Sequence, residues 1–191
     1  MEYFAPTALQ DAVDFLQQSG KAGVAIVAGA TDWFPARGDR PLHRPVMDIP
    51  KIAELQGIER TAQGWRFGAA ATWSDIVKAD LPSCFAGLKA AAREIGSVQI
   101  QNVATLAGNL CNASPAADGV PPLLTLDAAV EIASLSGVRS VPLTNFVIGV
   151  RQTALQPGEM VAAITVPALP TQFVEGVGCF IKIGARKYLV I

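Results

Sequence analysis

The chain has 191 residues, with 15 Lys+Arg against 16 Asp+Glu and a formal net charge of −1; without a basic run, that balance argues against a nucleic-acid partner. Hydrophobic residues make up 51% and charged residues 16%, the latter below the usual value of about 25%, so either the core is unusually complete or a partner subunit covers part of the surface. No window reaches the roughly 18 consecutive apolar residues that a membrane span needs.

The start, MEYFAPTALQDAVDFL, carries Glu2, Asp11 and Asp14 where a secretion signal needs a basic start and an apolar middle. It reads instead as a short extended piece followed by a helix. Thr7 is the expected N-cap, Leu9, Ala12, Val13 and Leu16 recur at helical spacing, and Gly20 is the stop. A buried strand is expected from Val24 to Ala28, bent at Gly29, and another from Val46 to Ile49, ended by Pro50. Residues 1–55 thus read as a small β-α-β lobe. From residue 56 the pattern alternates, and Ile58, Trp65 and Phe67 predict an antiparallel hairpin turning at Ala62 to Gly64. Thr72 with Asp75 makes an acidic capping box. The alanine-rich FAGLKAAAREIGS is a helix with Leu88, Ala91, Ala92 and Ile95 on one side, ended by Gly96. Downstream, PPLLTLDAAVEIAS predicts a helix or turn and a strand from Ala129 to Ala133; SGVRSVPLTNFV, EMVAAITVP and VGCFIKIG predict further strands. The chain ends on Leu189, Val190 and Ile191, inside an apolar element, which suggests a fragment of a longer protein.

Cys84, Cys111 and Cys179 are odd in number, far apart and outside any CxxC; reduced thiols in a cytoplasmic protein are expected, with no metal site in this chain. The one histidine, His43, sits beside proline in a loop.

Two small-residue loops carry the chemistry. AGATD, 28–32, leaves a buried strand, and TLAGN, 105–109, opens the run ATLAGNLCNASPAAD. Neither has a lysine or arginine, but converging backbone N–H groups can still hold an anion. Thr31, Thr105 and Asn109 add side-chain donors, and Asp118 could accept from a polyol hydroxyl. Neither loop is a P-loop or a GxGxxG fingerprint. Alone, each loop reads first as a tight turn with no ligand, and Asp118 as a helix cap.

Taken together, VAGATDW at 27–33, IGSVQIQNVATLAGNLCNASPAAD at 95–118, RQTALQPGEMVAAITVP at 151–167 and FIKIGARK at 180–187 resemble the FAD-binding medium subunit of the molybdenum hydroxylases, the xanthine dehydrogenase and carbon monoxide dehydrogenase group. The resemblance covers nearly the whole chain. It implies an α+β fold, the two-lobed FAD-binding domain of the vanillyl-alcohol-oxidase (PCMH) type. The first lobe would span 1–55, and the second, mainly antiparallel, 56–174. Residues 175–191 would start a truncated C-terminal domain.

By position, the resemblance implies that Ile26, Val27, Ala28, Gly29, Ala30, Thr31, Asp32 and Trp33 form the first FAD loop, with Trp33 near the adenine. Thr105, Leu106, Ala107, Gly108 and Asn109 would form the second. Asn112 and Ser114 would lie along the cofactor, Asp118 on its hydroxyls, Val161 against it and Lys182 near the flavin ring, with Ile95 where some relatives carry an aromatic. No catalytic residue and no metal ligand is assigned. The chain departs from AGGTD and TLGGN at Ala30 and Ala107, tolerable if their φ values are negative, and from QIRN at Gln101. Lys187, Tyr188 and Leu189 stand where animal xanthine dehydrogenases carry an acidic cluster tied to NAD use.

The implied function is electron transfer in the cytoplasm. Electrons would pass from 2Fe-2S clusters of a small partner subunit through FAD to NAD+, a quinone or oxygen. A large subunit would hold the molybdenum cofactor, in a dimer of heterotrimers. The alternatives are a flavin-free assembly subunit and a free-standing flavin reductase of the same fold.

Overall fold

The computed structural model describes residues 2–20, 23–168, 170 and 176–183. The first part of the chain builds a three-stranded parallel sheet in the order β1-β3-β2 from β1 (Tyr3–Phe4), β2 (Ala25–Val27) and β3 (Val46–Asp48). Helix α1 (Leu9–Ser19) joins β1 to β2, and α2 (Trp33–Arg37) lies between β2 and β3. The apolar face expected of α1 is the one it buries: Ala12, Val13 and Leu16. Its N-cap is Ala8 and not Thr7, and no side chain of the cap takes part. Glu54 does that work from a distant turn, accepting the Leu9 N–H at 3.1 Å.

Alternation along β2 and β3 divides their contacts. Ile26 and Met47 join the main core, whereas Ala25, Val27 and Val46 form a small second cluster with Ala30, Trp33 and Leu42.

The second sheet has five strands, all antiparallel pairs, in the order β4-β5-β10-β6-β7. Strands β4 (Ile58–Thr61) and β5 (Gly64–Gly68) form the expected hairpin. Strands β6 (Ala129–Ser134) and β7 (Gly137–Pro142) form another at the far edge. The central strand β10 (Met160–Pro167) closes the sheet, with Ile164 opposite both Phe67 and Val130. Met160 to Ile164 are all buried, as a continuous apolar run requires when both faces of a strand are covered.

The helices between the hairpins bring the site together. Helix α3 (Trp73–Lys78) starts with the predicted capping box: Thr72 Oγ1 accepts the Asp75 N–H at 3.1 Å and Asp75 Oδ2 the Thr72 N–H at 2.9 Å. Helix α4 (Ala86–Glu94) buries Gly87, Leu88, Ala91 and Ala92. Then come α5 (Val98–Gln101), α6 (Leu106–Asn112) and α7 (Val120–Thr125). After β7, α8 (Leu143–Phe146) leads into a two-stranded hairpin, β8 (Val147–Gly149) and β9 (Gln152–Thr153). The main core runs from α1 and Met47 through Phe67, Trp73 and Phe85 to Ile164, so the two sheets share one interior.

Gln101, where the resemblance implies arginine, is put to structural use. Its buried Nε2 donates to Arg93 O at 3.2 Å and Ile95 O at 3.1 Å, closing the C-terminus of α4. Gln101→Leu leaves those carbonyls without this donor, with an expected cost of about 1–3 kcal/mol in urea denaturation.

The strand expected at VGCFIKIG does not form among the described residues 176–183. The segment is held by close backbone approach, not by a sheet. Gly178 N–H donates to Ser83 O at 3.3 Å, Ser83 Oγ donates to Gly176 O at 3.0 Å, and a β-carbon on Gly178 would stand 2.6 Å from Cys84 O. Ile181 and Ile183 are exposed. The expectations for Lys187, Tyr188, Leu189, Val190 and Ile191 lie outside the described residues.

Acid should loosen this fold through two carboxylates. The two-pronged bond from Arg139, at 2.7 and 2.8 Å, and the Gln156 N–H hold Glu159 below its ordinary value of 4.5. Backbone N–H groups of Glu54 itself and of Leu9 lower Glu54 in the same way. A depressed carboxylate stabilises above its unfolded pKa and loses that contribution as pH falls through the folded one. The urea midpoint is therefore expected to fall as pH drops below 4.5, and Glu159→Gln to flatten that slope.

Candidate functional site

A cleft of about 740 Å³ opens at the end of the parallel sheet, against the helices that follow β5. Its walls come from the exit of β2, the start of α2, the turn after α4, the cleft face of α6, the loop 114–118, Arg151 and Lys182.

The first loop enters the cleft whole: Ile26, Val27, Ala28, Gly29, Ala30, Thr31, Asp32 and Trp33 all line it. Gly29 has a steric reason to be glycine, since a β-carbon there would lie 2.0 Å from Val103 O. Ala30 does not meet the condition of a negative φ under which alanine would be easily tolerated there. Its φ is +53, and its carbonyl accepts the Phe34 N–H at 3.1 Å as the chain swings into α2. Ala107, by contrast, is an ordinary residue of α6. Left-handed alanine costs roughly 1–2 kcal/mol, and the added freedom of an unfolded glycine takes back about 0.4–1. Ala30→Gly is therefore expected to stabilise the chain by roughly 0.5–1 kcal/mol in thermal unfolding, with the loop geometry kept.

The second loop is not a loop. TLAGN is the first turn of α6, with Thr105 as N-cap and its Oγ1 accepting the Gly108 N–H at 3.0 Å. Its position is set by the start of α3: Trp73 N–H donates to Ala104 O at 3.0 Å and Leu106 N–H to Ala71 O at 3.3 Å. Thr105, Gly108 and Asn109 line the cleft. Leu106 and Ala107 are buried in the core, as is Val161 on β10, and these three are not brought to the cleft.

Further along, Asn112, Ser114 and Asp118 do line it. Asn109 Oδ1 accepts the Gly119 N–H at 3.2 Å, and Asn112 Oδ1 accepts from the Arg151 guanidinium. With their oxygens so used, both amides have N–H groups to offer a ligand. Ser114 Oγ accepts the Ala116 N–H at 3.2 Å. Asp118 and Lys182, read separately in the sequence, form one ion pair, Nζ to Oδ2 at 2.7 Å.

Sequence reasoning missed several wall residues, among them Ala36, Glu94, Gly96, Ile100, Ala104, Cys111, Ala117 and Arg151. Ile95, flagged as an aromatic position, is at the wall. Cys111 lines the wall, where desolvation pushes its thiol up to about 12. Arg151 could have been noticed, since it opens the RQTALQPGEM segment. Among the described residues no group of three or more His, Cys, Asp or Glu could hold a metal ion, and the wall includes no histidine. The chemistry on offer is binding: N–H donors on α6, a strained small-residue turn, the cations Arg151 and Lys182 and the carboxylates Asp32, Glu94 and Asp118.

Comparison with known proteins gives concordant matches. The family model described as "FAD binding domain in molybdopterin dehydrogenase" matches residues 1–169. The nicotinate dehydrogenase FAD-subunit of Eubacterium barkeri is 35% identical over 196 aligned residues, covering 100% of this chain and 65% of that protein. The xanthine dehydrogenase FAD-binding subunit of Escherichia coli O157:H7 is 35% identical over 177 residues, with 90% and 59% covered. Among solved structures, carbon monoxide dehydrogenase from Hydrogenophaga pseudoflava superposes with a TM-score of 0.80 at 28% identity, over 90% of this chain and 60% of that one. The chain thus spans 59–65% of the length of these two curated relatives.

Proposed function

The chain belongs to the family of FAD-binding domains found in molybdopterin dehydrogenases, and from that premise we propose that its cleft holds FAD as an electron-transfer station of a molybdenum hydroxylase. One observation carries the reading: Gly29 to Asp32, the two amides of α6 and the Asp118–Lys182 pair converge on a single cleft. These residues fit the cofactor. A pyrophosphate and an oxidised flavin ring are rich in acceptors, and Asn109 and Asn112 turn N–H groups to the ligand. Asp118 is an acceptor for polyol hydroxyls.

When bound, FAD supplies the exchange of electrons between one- and two-electron carriers. The protein's part is to bind and orient it. Thr31 and the Gly29–Ala30 turn take the diphosphate, Asn112 and Ser114 run along the chain of the cofactor, and Lys182 sets a positive charge by the ring while Asp118 holds it in place.

The arrangement proposed is the two-lobed one of the vanillyl-alcohol-oxidase type, with 1–55 and 56–174 as lobes and a further domain starting near 175. The parallel sheet ending at Asp48 and the antiparallel sheet beginning at Ile58 support that division. In the assembled enzyme, electrons would arrive from 2Fe-2S clusters of a small subunit and leave to NAD+, a quinone or oxygen. A large molybdenum subunit would choose the substrate, in a cytoplasmic dimer of heterotrimers. Relatives named as medium chains of carbon monoxide and glyceraldehyde dehydrogenases support a subunit role.

The test is the visible spectrum of the purified full-length protein with its subunits, then acid release and mass identification of the flavin. One FAD per chain, with 2Fe-2S absorbance lost when the partners are stripped away, is the expected result. FMN, or no flavin, overturns the reading.

A further inference from the structure

Arg151 occupies a position that usually goes to another residue type. It is the second residue of the two-residue turn between β8 and β9, with φ +58. Glycine or asparagine normally takes a turn position of that kind. Its N–H donates to Ala113 O at 2.9 Å, and Ala113, the C-cap of α6, is itself left-handed at φ 44. Two left-handed non-glycine residues are thus joined by one hydrogen bond at the end of α6, and one of them, Arg151, lines the cleft. Such strain persists only where the surroundings over-determine it.

The result is a fixed place for the guanidinium. Arg151 Nη1 donates to Asn112 Oδ1 and to Asn112 O, the latter at 3.4 Å. Guanidinium has no acceptor, so the side-chain atom of Asn112 that meets it must be the oxygen. The amide nitrogen is then left for the cleft that Asn112 lines. Asn109 sits three residues earlier, on the same side of α6. There the Gly119 N–H, another group that only donates, fixes the oxygen in the same way.

We infer that Arg151 is a positioning residue: it sets the orientation of the Asn112 amide so that α6 presents an N–H donor, and not an oxygen, to an acceptor atom of the cofactor. This rests on the FAD reading above. Free rotation of the Asn112 amide would offer the cofactor an oxygen about as readily as a donor.

The test uses the full-length protein in its complex, stripped of flavin and titrated with FAD, with unfolding of the flavin-free form followed in parallel. Arg151→Ala should weaken FAD binding roughly tenfold, the value of one oriented hydrogen bond. Arg151→Lys keeps a donor and should restore most of the affinity. Asn112→Asp keeps the contact with Arg151 but turns an oxygen to the cleft. It should bind FAD at least as poorly as Arg151→Ala, with the flavin-free form as stable as wild type or more so. A merely structural pair would not separate stability from affinity in that direction. Arg151→Ala added to Asn112→Asp should cost little more. Wild-type affinity in both single variants, or fully additive losses, overturns the inference alone. A wild-type protein that takes up no FAD overturns the cofactor reading and the inference with it.

Discussion

Gly29→Ala is expected to abolish flavin uptake and to cost the fold at least about 3 kcal/mol, at the top of the range for overpacking. The new β-carbon would meet three backbone atoms: Val103 O at 2.0 Å, Val103 C at 2.4 Å and Ala104 N at 2.9 Å. Neither side of the contact can give way cheaply. Ala104 is held by its own N–H on Ile100 O at 2.8 Å and by its carbonyl under the Trp73 N–H at 3.0 Å. Across from it, β2 is fixed by pairing with β3 and by Val27 O accepting the Ile49 N–H at 2.9 Å. Relief would require the two walls of the cleft to part. Gly108 is the control: a β-carbon there meets only Thr105 Oγ1, at 3.0 Å, and alanine favours helix. Gly108→Ala should therefore stay close to wild type in stability. The flavin-to-protein ratio and the urea midpoint of both variants decide the matter. A Gly29→Ala protein that carries flavin and unfolds like wild type would show that the approach of the two loops is not needed.

What was legible in the sequence is what local physics sets. The Thr72–Asp75 capping box, the β4–β5 hairpin and the apolar face of α1 each depend on residues within a few positions of one another. EMVAAITVP announced a strand, though not that it would be buried on both faces or enter between β5 and β6. The errors have a common origin in distant contacts. Thr7 lost the cap of α1 to a carboxylate from Glu54. TLAGN reads as a turn because it is small and contains Gly108, yet hydrogen bonds to residues 71 and 73 start a helix there. VGCFIKIG alternates like a strand, but glycines 176 and 178 lay it against the turn at residues 83–84. At the cleft, the first small-residue segment, part of the second and the distant Lys182 line the wall, and the departures come from the fold. Arg151 is brought by a distant hairpin, and Leu106, Ala107 and Val161 are drawn inward by core packing that a linear motif does not contain.

The Asp118–Lys182 pair leads to the second large effect. The two residues are 64 positions apart, and their side chains are 13% and 24% exposed. Asp118→Ala removes an acceptor from the cleft and leaves the Lys182 ammonium without its counter-charge. Hydrogen bonds to charged groups contribute about 1.5–3 kcal/mol, so FAD affinity is expected to drop roughly 10- to 100-fold. The stability of the flavin-free form should change far less, since a partly exposed pair is screened and contributes about 1 kcal/mol or less. Asp118→Asn separates the two roles. It keeps a side-chain oxygen for a cofactor hydroxyl or for Lys182 but loses the charge, so it should fall between wild type and alanine. Lys182→Gln frees the carboxylate while removing the cation, and should spare affinity more than Asp118→Ala does if hydroxyl binding dominates. FAD titration of the three variants, beside urea unfolding of their flavin-free forms, reads both quantities. Should Asp118→Ala lose stability while retaining wild-type affinity, the pair is a clasp that holds residues 176–183 to the rest of the chain, and the polyol of the cofactor must find its acceptor elsewhere in the cleft.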